Sequence, residues 1–87
     1  MATTNEAASE APEILELITA AFREALGDPE LTSDSDFFEA GGDSLSAFAI
    51  SARLHETLGV EGAMALVFIY PTPAELASAV ALDLVQG

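Results

Sequence analysis

Cysteine is absent from this sequence, and basic residues are nearly absent, with Arg23 and Arg53 set against fifteen acids. Without cysteine the chain can form neither a disulfide nor a thiolate metal site, so any thiol chemistry must be imported. The formal net charge of −13 disfavours direct nucleic-acid binding, because phosphates would be repelled. Eleven of the acids lie at or before Asp43. This acidity either solvates the surface or steers basic partners toward the protein.

Long apolar runs are absent as well. The longest, residues 63–70, is far shorter than the roughly 20 residues that a membrane span requires. Residues 1–6 lack the basic region and apolar core of a signal peptide. We therefore expect a soluble, cytoplasmic and monomeric protein with no membrane partner. Its 87 residues suit one small domain, which is compatible with a free-standing protein and with an excised domain.

Helical periodicity begins after residue 10. Residues 1–10 show none and are predicted to be a disordered lead-in, so that residues 11–87 form the domain. The first helix is predicted from Pro12, at a first-turn position, to a C-terminal cap at Gly27. Glu16, Thr19 and Arg23 are placed on its outer face. The apolar residues predicted on the opposite, buried face are Ile14, Leu15, Ile18, Ala21, Phe22, Ala25 and Leu26.

Residues 28–42 are predicted to form a long loop, which needs apolar anchors. At least one of Phe37 and Phe38 is expected to pack on the helices. The loop acids do not follow the EF-hand spacing, and Phe38 stands at a ligand position, so no metal site is predicted.

The second helix is predicted from about Ser44 to Leu58, closed by Gly59, and it carries two apolar stripes. One stripe runs the whole length and is expected to face the core: Ala47, Ile50, Leu54 and Leu58. The other is confined to the half beside Ser44: Leu45, Phe48, Ala49 and Ala52. Periodicity alone leaves open whether this second stripe is core or an exposed recognition surface.

The run Gly41-Gly42-Asp43-Ser44-Leu45 joins the loop to this helix. The two glycines permit positive φ and the close approach of another molecule to the backbone. Asp43 is predicted to cap the helix by accepting N–H groups of its first turn. Ser44 then lies where these groups and the helix dipole favour an anion such as a phosphate ester.

These residues, preceded by Phe37-Phe38 and followed after the helix by Phe68-x-x-Pro71-Thr72, resemble acyl and peptidyl carrier domains over about residues 11–86. The resemblance implies a 4′-phosphopantetheine arm attached covalently to Ser44, within a motif that includes Gly42, Asp43 and Leu45. The thiol of the arm would carry substrates as thioesters. The protein itself would catalyse nothing.

The resemblance also implies partners. A phosphopantetheinyl transferase, using Mg²⁺ and coenzyme A, would modify Ser44, and an adenylation or other acyl-loading enzyme would charge the thiol. Condensation, ketosynthase or tailoring enzymes would then use the acyl group. In the family, the face that matches Leu45, Phe48, Ala49 and Ala52 is the docking surface for these enzymes, so this stripe is predicted to be exposed.

The second helix distinguishes two branches of the family. Fatty-acid-type carriers usually have an acidic second helix, whereas residues 44–55 contain no acid. Together with the double glycine, this is more similar to peptidyl carriers of nonribosomal peptide or hybrid natural-product biosynthesis. An acyl carrier of a polyketide pathway is the alternative, because some of those carriers share the double glycine.

The family places a short third helix within residues 60–70, where Leu66 and Phe68 are expected to be core. Thr72-Pro73-Ala74-Glu75 is a capping box that predicts the start of a fourth helix. The buried face of that helix would carry Leu76, Val80 and Leu84. The predicted fold is all-α: an up-down bundle of three long helices and one short helix.

Three other interpretations of Ser44 remain to be weighed. It could be an ordinary polar residue of a first helical turn, or the chain could be an acidic helical interaction protein that is never modified. Gly42 to Ser46 also matches the motif of GDSL-type esterases, which need a histidine base. His55, the one histidine, lies about 16 Å along the same helix, whereas general-base contact needs roughly 3 Å. The hydrolase interpretation therefore fails.

Overall fold

The computed structural model describes the backbone of residues 2–86 and the side chains of residues 13–82. Four helices make up this part: α1 (Ala2–Leu26), α2 (Ser44–Leu58), α3 (Ala63–Ile69) and α4 (Pro73–Gln86). No strand occurs among residues 2–86. Helix α1 packs against α2 and α4, and α3 packs against α2 and α4. The predicted all-α fold of four helices is confirmed.

Helix α1 begins at Ala2 rather than at Pro12. The backbone of residues 2–10 is therefore helical where the sequence predicted disorder, and Met1 lies outside the described residues. Alanine and glutamate recur in this segment and favour helix even without apolar periodicity, which reports only on burial. The division into a lead-in of residues 1–10 and a domain of residues 11–87 stays a prediction.

The core lies where the helices meet. Its largest fully buried side chains on α1 and α2 are Ile18, Phe22, Ile50 and Leu54, as predicted. Thr19 was wrongly placed on the outer face, since it is buried and its hydroxyl donates to the carbonyl of Leu15 at 2.7 Å. A threonine that bonds its own helix brings no unmet donor into the interior, so this position accepts it.

Helix α3 buries different residues from those predicted. Ala63 and Val67, four residues apart on one face, are fully buried, whereas Leu66 is half-buried and Phe68 is 40% exposed. The prediction that Phe68 is core was wrong, because its ring stacks on that of Phe38 at the surface, 6.0 Å away.

Helix α4 starts and packs as predicted where its side chains are described. The N–H of Glu75 donates to the hydroxyl of Thr72 at 3.1 Å, which is one half of the predicted capping box. Leu76 and Val80 are fully buried. Leu84 lies outside the described side chains.

The loop between α1 and α2 is tied to the start of α4. The N–H of Phe37 donates to the carbonyl of Pro71 at 2.7 Å, and the N–H of Ala74 donates to the carbonyl of Ser33 at 3.0 Å. These bonds bring two long-separated parts of the chain together just before the Gly41-Gly42-Asp43-Ser44 junction. The loop that leads into the junction is therefore fixed to the segment at the start of α4.

Phe37 forms the centre of an aromatic cluster under this loop. Its ring meets those of Phe22, Phe38 and Phe68 edge-on, at centroid distances of 6.1, 5.3 and 6.0 Å. Phe37 is fully buried and Phe38 is 51% exposed. The prediction that at least one of this pair packs on the helices is confirmed.

Candidate functional site

Asp43 caps α2 in an extended conformation, with φ −143° and ψ −173°. Its Oδ1 accepts the N–H of Ser46 at 2.9 Å, and the Ser46 hydroxyl accepts the N–H of Asp43 at 2.9 Å. Two hydrogen bonds that Ser46 donates to the Asp43 carboxylate hold the pKa of Asp43 below its ordinary value, because both favour the charged form. The larger effect comes from the backbone N–H of Ser46 and the smaller from its hydroxyl. The predicted cap is confirmed. The role of Ser46 in this capping box was not predicted, because the third helical position of such a box is usually Glu or Gln.

Ser44 is the first residue of α2, and its side chain is exposed. Among the described residues, its hydroxyl takes part in no hydrogen bond. Ser46, two residues later, is buried and its hydroxyl is engaged by Asp43. Of the two serines in this motif, Ser44 is the one that offers its hydroxyl to another molecule.

Gly41 and Gly42 meet two different requirements. Gly41 has φ +90°, a conformation that residues with a Cβ rarely adopt. Gly42 leaves room for the ring of Phe37, which a Cβ at this position would approach to 2.5 Å. The sequence had suggested the close approach of another molecule; at Gly42 the neighbour is a buried side chain of the same chain.

The second apolar stripe of α2 is exposed. Leu45 is 77% and Phe48 62% exposed, and Ala49 and Ala52 are exposed as well. The stripe is therefore surface rather than core, which the periodicity left open. A contiguous apolar surface beside a free serine suits recognition by another protein, and its part in docking stays a prediction.

Part of this stripe lines two adjoining depressions between α1 and α2. The depression nearer the motif has a volume of about 270 Å³ and is lined by Ala25, Leu26, Gly41, Asp43, Leu45, Ser46 and Ala49. The further one has a volume of about 340 Å³ and is lined by Ala21, Glu24, Ala25, Ala49, Ala52, Arg53 and Glu56. Ala25 and Ala49 line both, so the two form one shallow channel, called the α1–α2 groove below.

Other predicted features can be placed within the described part of the chain. His55 is an exposed residue of α2. No group of three or more histidine and carboxylate side chains that could hold a metal ion occurs among the described residues. Among the described residues, no helix combines the length and the hydropathy that a membrane span requires.

Comparison with known families decides between the remaining interpretations. The family described as "phosphopantetheine attachment site" matches residues 16–80. The chain belongs to this family. Its cofactor is accordingly 4′-phosphopantetheine, and the chain is a non-catalytic carrier protein. Membership of this family excludes the interpretations of the chain as a hydrolase and as an interaction protein that is never modified.

Two relatives of this phosphopantetheine carrier are large synthetases. The chain is 41% identical over 72 residues to the dimodular nonribosomal peptide synthase of Bacillus subtilis, which covers 83% of the chain and 3% of that protein. It is 34% identical over 87 residues to the phosphinothricin tripeptide synthetase PhsC of Streptomyces viridochromogenes, which covers 95% of the chain and 8% of that protein. The carrier thus spans a small fraction of the length of these relatives.

A solved carrier structure has the same fold. It is that of BlmI, a type-II acyl-carrier protein from Streptomyces verticillus involved in bleomycin biosynthesis. The two chains superpose with a TM-score of 0.82 at 25% identity, over 87% of this chain and 92% of BlmI. The prediction of an acyl-carrier type of bundle is confirmed.

The residues at the start of α2 fit the cofactor. An exposed hydroxyl without a hydrogen-bond partner among the described residues is what a phosphodiester link requires. The N-terminus of a helix favours the negative phosphate that the link would place there. Gly41, just before it, adds no side chain that would crowd an incoming enzyme.

Proposed function

We propose that Ser44 carries the 4′-phosphopantetheine arm, and that the protein presents aminoacyl or acyl groups as thioesters in nonribosomal peptide or hybrid natural-product biosynthesis. One observation carries this proposal: in a chain of this family, the Ser44 hydroxyl is exposed at the first position of α2, while the hydroxyl of Ser46 is buried and bonded. The names of the relatives, which are nonribosomal peptide synthetases, support the biosynthetic role.

Attachment requires no base from this chain. The oxygen of Ser44 attacks the pantetheine-bearing phosphorus of coenzyme A, the pyrophosphate P–O bond breaks, and 3′,5′-ADP leaves. The hydroxyl proton passes to a base of the phosphopantetheinyl transferase or to water. The arm then supplies a thiol, and the flexible tether raises the effective concentration of the thioester at each partner.

The partner enzymes are proposed to dock on the exposed stripe of Leu45, Phe48, Ala49 and Ala52, next to Ser44. Apolar side chains on a protein surface stabilise a complex when the partner covers them. The partners proposed are those that the family implies: the transferase, an adenylation or other loading enzyme, and condensation, ketosynthase or tailoring enzymes. A cytoplasmic location and a monomeric state are likewise proposed from the sequence.

A second and weaker candidate is an acyl carrier of a polyketide pathway, for which the support is the likeness in fold to a type-II acyl-carrier protein. The two candidates differ in the group on the thiol. Mass spectrometry of the loaded protein from its native host separates them, because the first predicts an aminoacyl mass and the second a polyketide acyl mass.

The attachment site is tested by incubating the protein with coenzyme A and a broad-specificity transferase and weighing it. We expect a mass gain of one arm for the wild type and for Ser46→Ala, and none for Ser44→Ala. Circular dichroism confirms that both variants are helical. An unchanged wild-type mass, or a mass gain in Ser44→Ala, would overturn the assignment of Ser44.

A further inference from the structure

We propose that the arm, once attached, lies back in the α1–α2 groove, and that the far end of this groove suits an aminoacyl group with a free ammonium. This inference rests on the proposed attachment to Ser44. It names a resting place on the carrier itself and a chemical class for the tethered group. The groove shares Leu45, Ala49 and Ala52 with the proposed docking stripe, so the arm would leave it when a partner docks.

The groove begins next to the attachment point. Asp43 and Leu45, the two chain neighbours of Ser44, both line its nearer depression. The further depression continues along α2 past Ala49 and Ala52 to Glu56. An arm fixed to Ser44 therefore needs only to cross Leu45, which is 77% exposed, to enter the groove.

The length of the groove matches the reach of the arm. From Ser44 to Glu56 the helix advances roughly 18 Å, at 1.5 Å per residue. About 14 bonds separate the serine oxygen from the thiol sulfur, which gives roughly 16 Å for an extended chain by analogy with a polypeptide, where three bonds span ~3.4 Å. One further residue on the sulfur brings its amino group level with Glu56.

The walls of the groove suit a slender chain rather than a bulky one. Its floor between the two helices is built largely from the methyl groups of Ala21, Ala25, Ala49 and Ala52. Such a floor leaves space for a narrow arm carrying two amides, whose polar groups can stay in water at the open side. The apolar segments of the arm would cover alanine surface, which is favourable.

The charge at the far end favours one class of tethered group. Glu24 forms an ion pair with Arg53, whose side chains are 62% and 44% exposed, and Glu56 is the second carboxylate on the groove wall. Two carboxylates against one guanidinium leave this end with a charge of −1. An ammonium is stabilised by such an end, while an uncharged acyl group gains nothing from it.

The absence of cysteine allows a direct test. In the attached form the thiol of the arm is the one thiol of the protein, so a maleimide nitroxide labels it alone. We expect paramagnetic loss of ¹H–¹⁵N signal to be strongest at Ala21, Ala25 and Ala52. Loss confined to the neighbours of Ser44, or strongest at Phe68 and Ile69 on α3, would overturn the inference.

Filling the groove supplies the matched control. Ala52→Leu places a larger side chain in the floor and should abolish the signal loss at Ala21. Ala20→Leu adds the same atoms on the exposed outer face of α1 and should leave the pattern unchanged. If the transferase fails to modify Ala52→Leu, Ala25→Leu fills the groove from the other wall. Equal patterns in filled and control variants would contradict the proposed resting place.

The charge is tested with two arms of similar size transferred from synthetic coenzyme A analogues, one ending in a glycyl amide with a free amine and the other in an acetyl amide. We expect larger amide shifts at Arg53 and Glu56 with the glycyl arm, and loss of this difference in Glu56→Gln. Equal shifts in the wild type would overturn the selectivity. The wild type is first weighed after modification with coenzyme A itself: a missing arm there refutes the attachment to Ser44, whereas an attached arm outside the groove refutes only this inference.

Discussion

The ring of Phe37 lies directly against Gly42, where a Cβ would come within 2.5 Å of the ring carbons Cε2 and Cζ. The N–H of Gly42 also donates to the carbonyl of Phe37 at 2.8 Å, which closes a turn around that ring. The position of the loop that precedes Ser44 is therefore set by a buried aromatic side chain. This contact couples the stability of the core to the presentation of the serine.

Gly42→Ala should destabilise the protein by about 1–3 kcal/mol, because the new methyl group collides with a ring that cannot leave the core. In a Phe37→Leu background the smaller side chain gives way, so the cost of Gly42→Ala should fall. The free energies of unfolding in urea for the four proteins of this cycle give the coupling. If the costs of Gly42→Ala and Phe37→Leu simply add, contact with the Phe37 ring is not the reason why residue 42 must be glycine.

Gly41→Ala provides the comparison, since nothing lies within 4 Å of a Cβ at Gly41 and its φ is +90°. We expect a cost of about 1–2 kcal/mol from backbone strain alone. The same cost should be found with Phe37 and with Phe37→Leu. If Gly41→Ala couples to Phe37→Leu as strongly as Gly42→Ala does, the same contact restricts both glycines, which would contradict this distinction.

The two neighbouring phenylalanines should differ sharply. Phe37→Ala should cost about 3–5 kcal/mol, since it empties a fully buried site, and could unfold so small a domain. Phe38→Ala should cost roughly 1 kcal/mol, because that ring is 51% exposed and loses only partial burial. Urea denaturation followed by circular dichroism compares them. Equal losses would contradict the inward and outward assignment of the pair.

Much of the bundle could be predicted because its helices follow simple patterns. The spacing of Ile18 and Phe22 places them in the core, and Asp43 and Gly59 mark the ends of α2, where Gly59 adopts the left-handed conformation expected of a cap. The cap at Asp43 also sets Ser44 as the first residue of α2, whereas its exposure had to be observed, since Ser46 in the same turn is buried. Local chemistry decides the helix ends and the core spacing, so the sequence suffices for these.

Other features depend on contacts between distant parts of the chain, which periodicity cannot report. The choice of Phe37 over Phe38 follows from the bond between Phe37 and Pro71, across the loop and two helices. The outward position of Phe68 follows from its stacking on Phe38. The α1–α2 groove arises from the packing of alanines on two helices and has no sequence signature of its own.

The capping box should make stability depend on pH. The pKa of Asp43 is lowered in the folded protein, so its charge stabilises the fold above the ordinary pKa of an aspartate, near 4. This contribution is lost as the pH falls through the lowered pKa. Wild type should therefore exceed Asp43→Asn in stability most at neutral pH, with a difference that shrinks in acid.

Urea denaturation of both proteins from pH 7 down to pH 3 measures this difference. Ser46→Ala removes the hydroxyl that bonds the Asp43 carboxylate and should reduce the pH-dependent difference without removing it, because the N–H bond remains. A difference between wild type and Asp43→Asn that grows as the pH falls would contradict the lowered pKa.

The two arginines should contribute unequally. Arg23 donates through Nε to the carbonyl of Leu31 at 2.7 Å and so ties the long loop to α1. Arg53 forms an exposed ion pair with Glu24, of a kind worth about 0–1 kcal/mol and weakened by salt. Each is replaced by methionine, which keeps most of the aliphatic stem. We expect Arg23→Met to cost about 1 kcal/mol at any salt concentration, and Arg53→Met to cost less in high salt than in low salt. The reverse order would contradict the anchoring role of Arg23.

Phe48 tests the docking stripe, and Leu82 on α4 is its matched control, since both side chains are 62% exposed. Phe48→Glu should slow modification by the transferase and loading of the thiol, because a charge in the centre of an apolar contact must be desolvated on docking. Leu82→Glu adds the same charge elsewhere and should leave both rates unchanged. Circular dichroism should show that both variants keep their helices. If Phe48→Glu unfolds, Phe48 supports the core rather than docking. If the two variants are modified and loaded at equal rates, the stripe is not the docking surface.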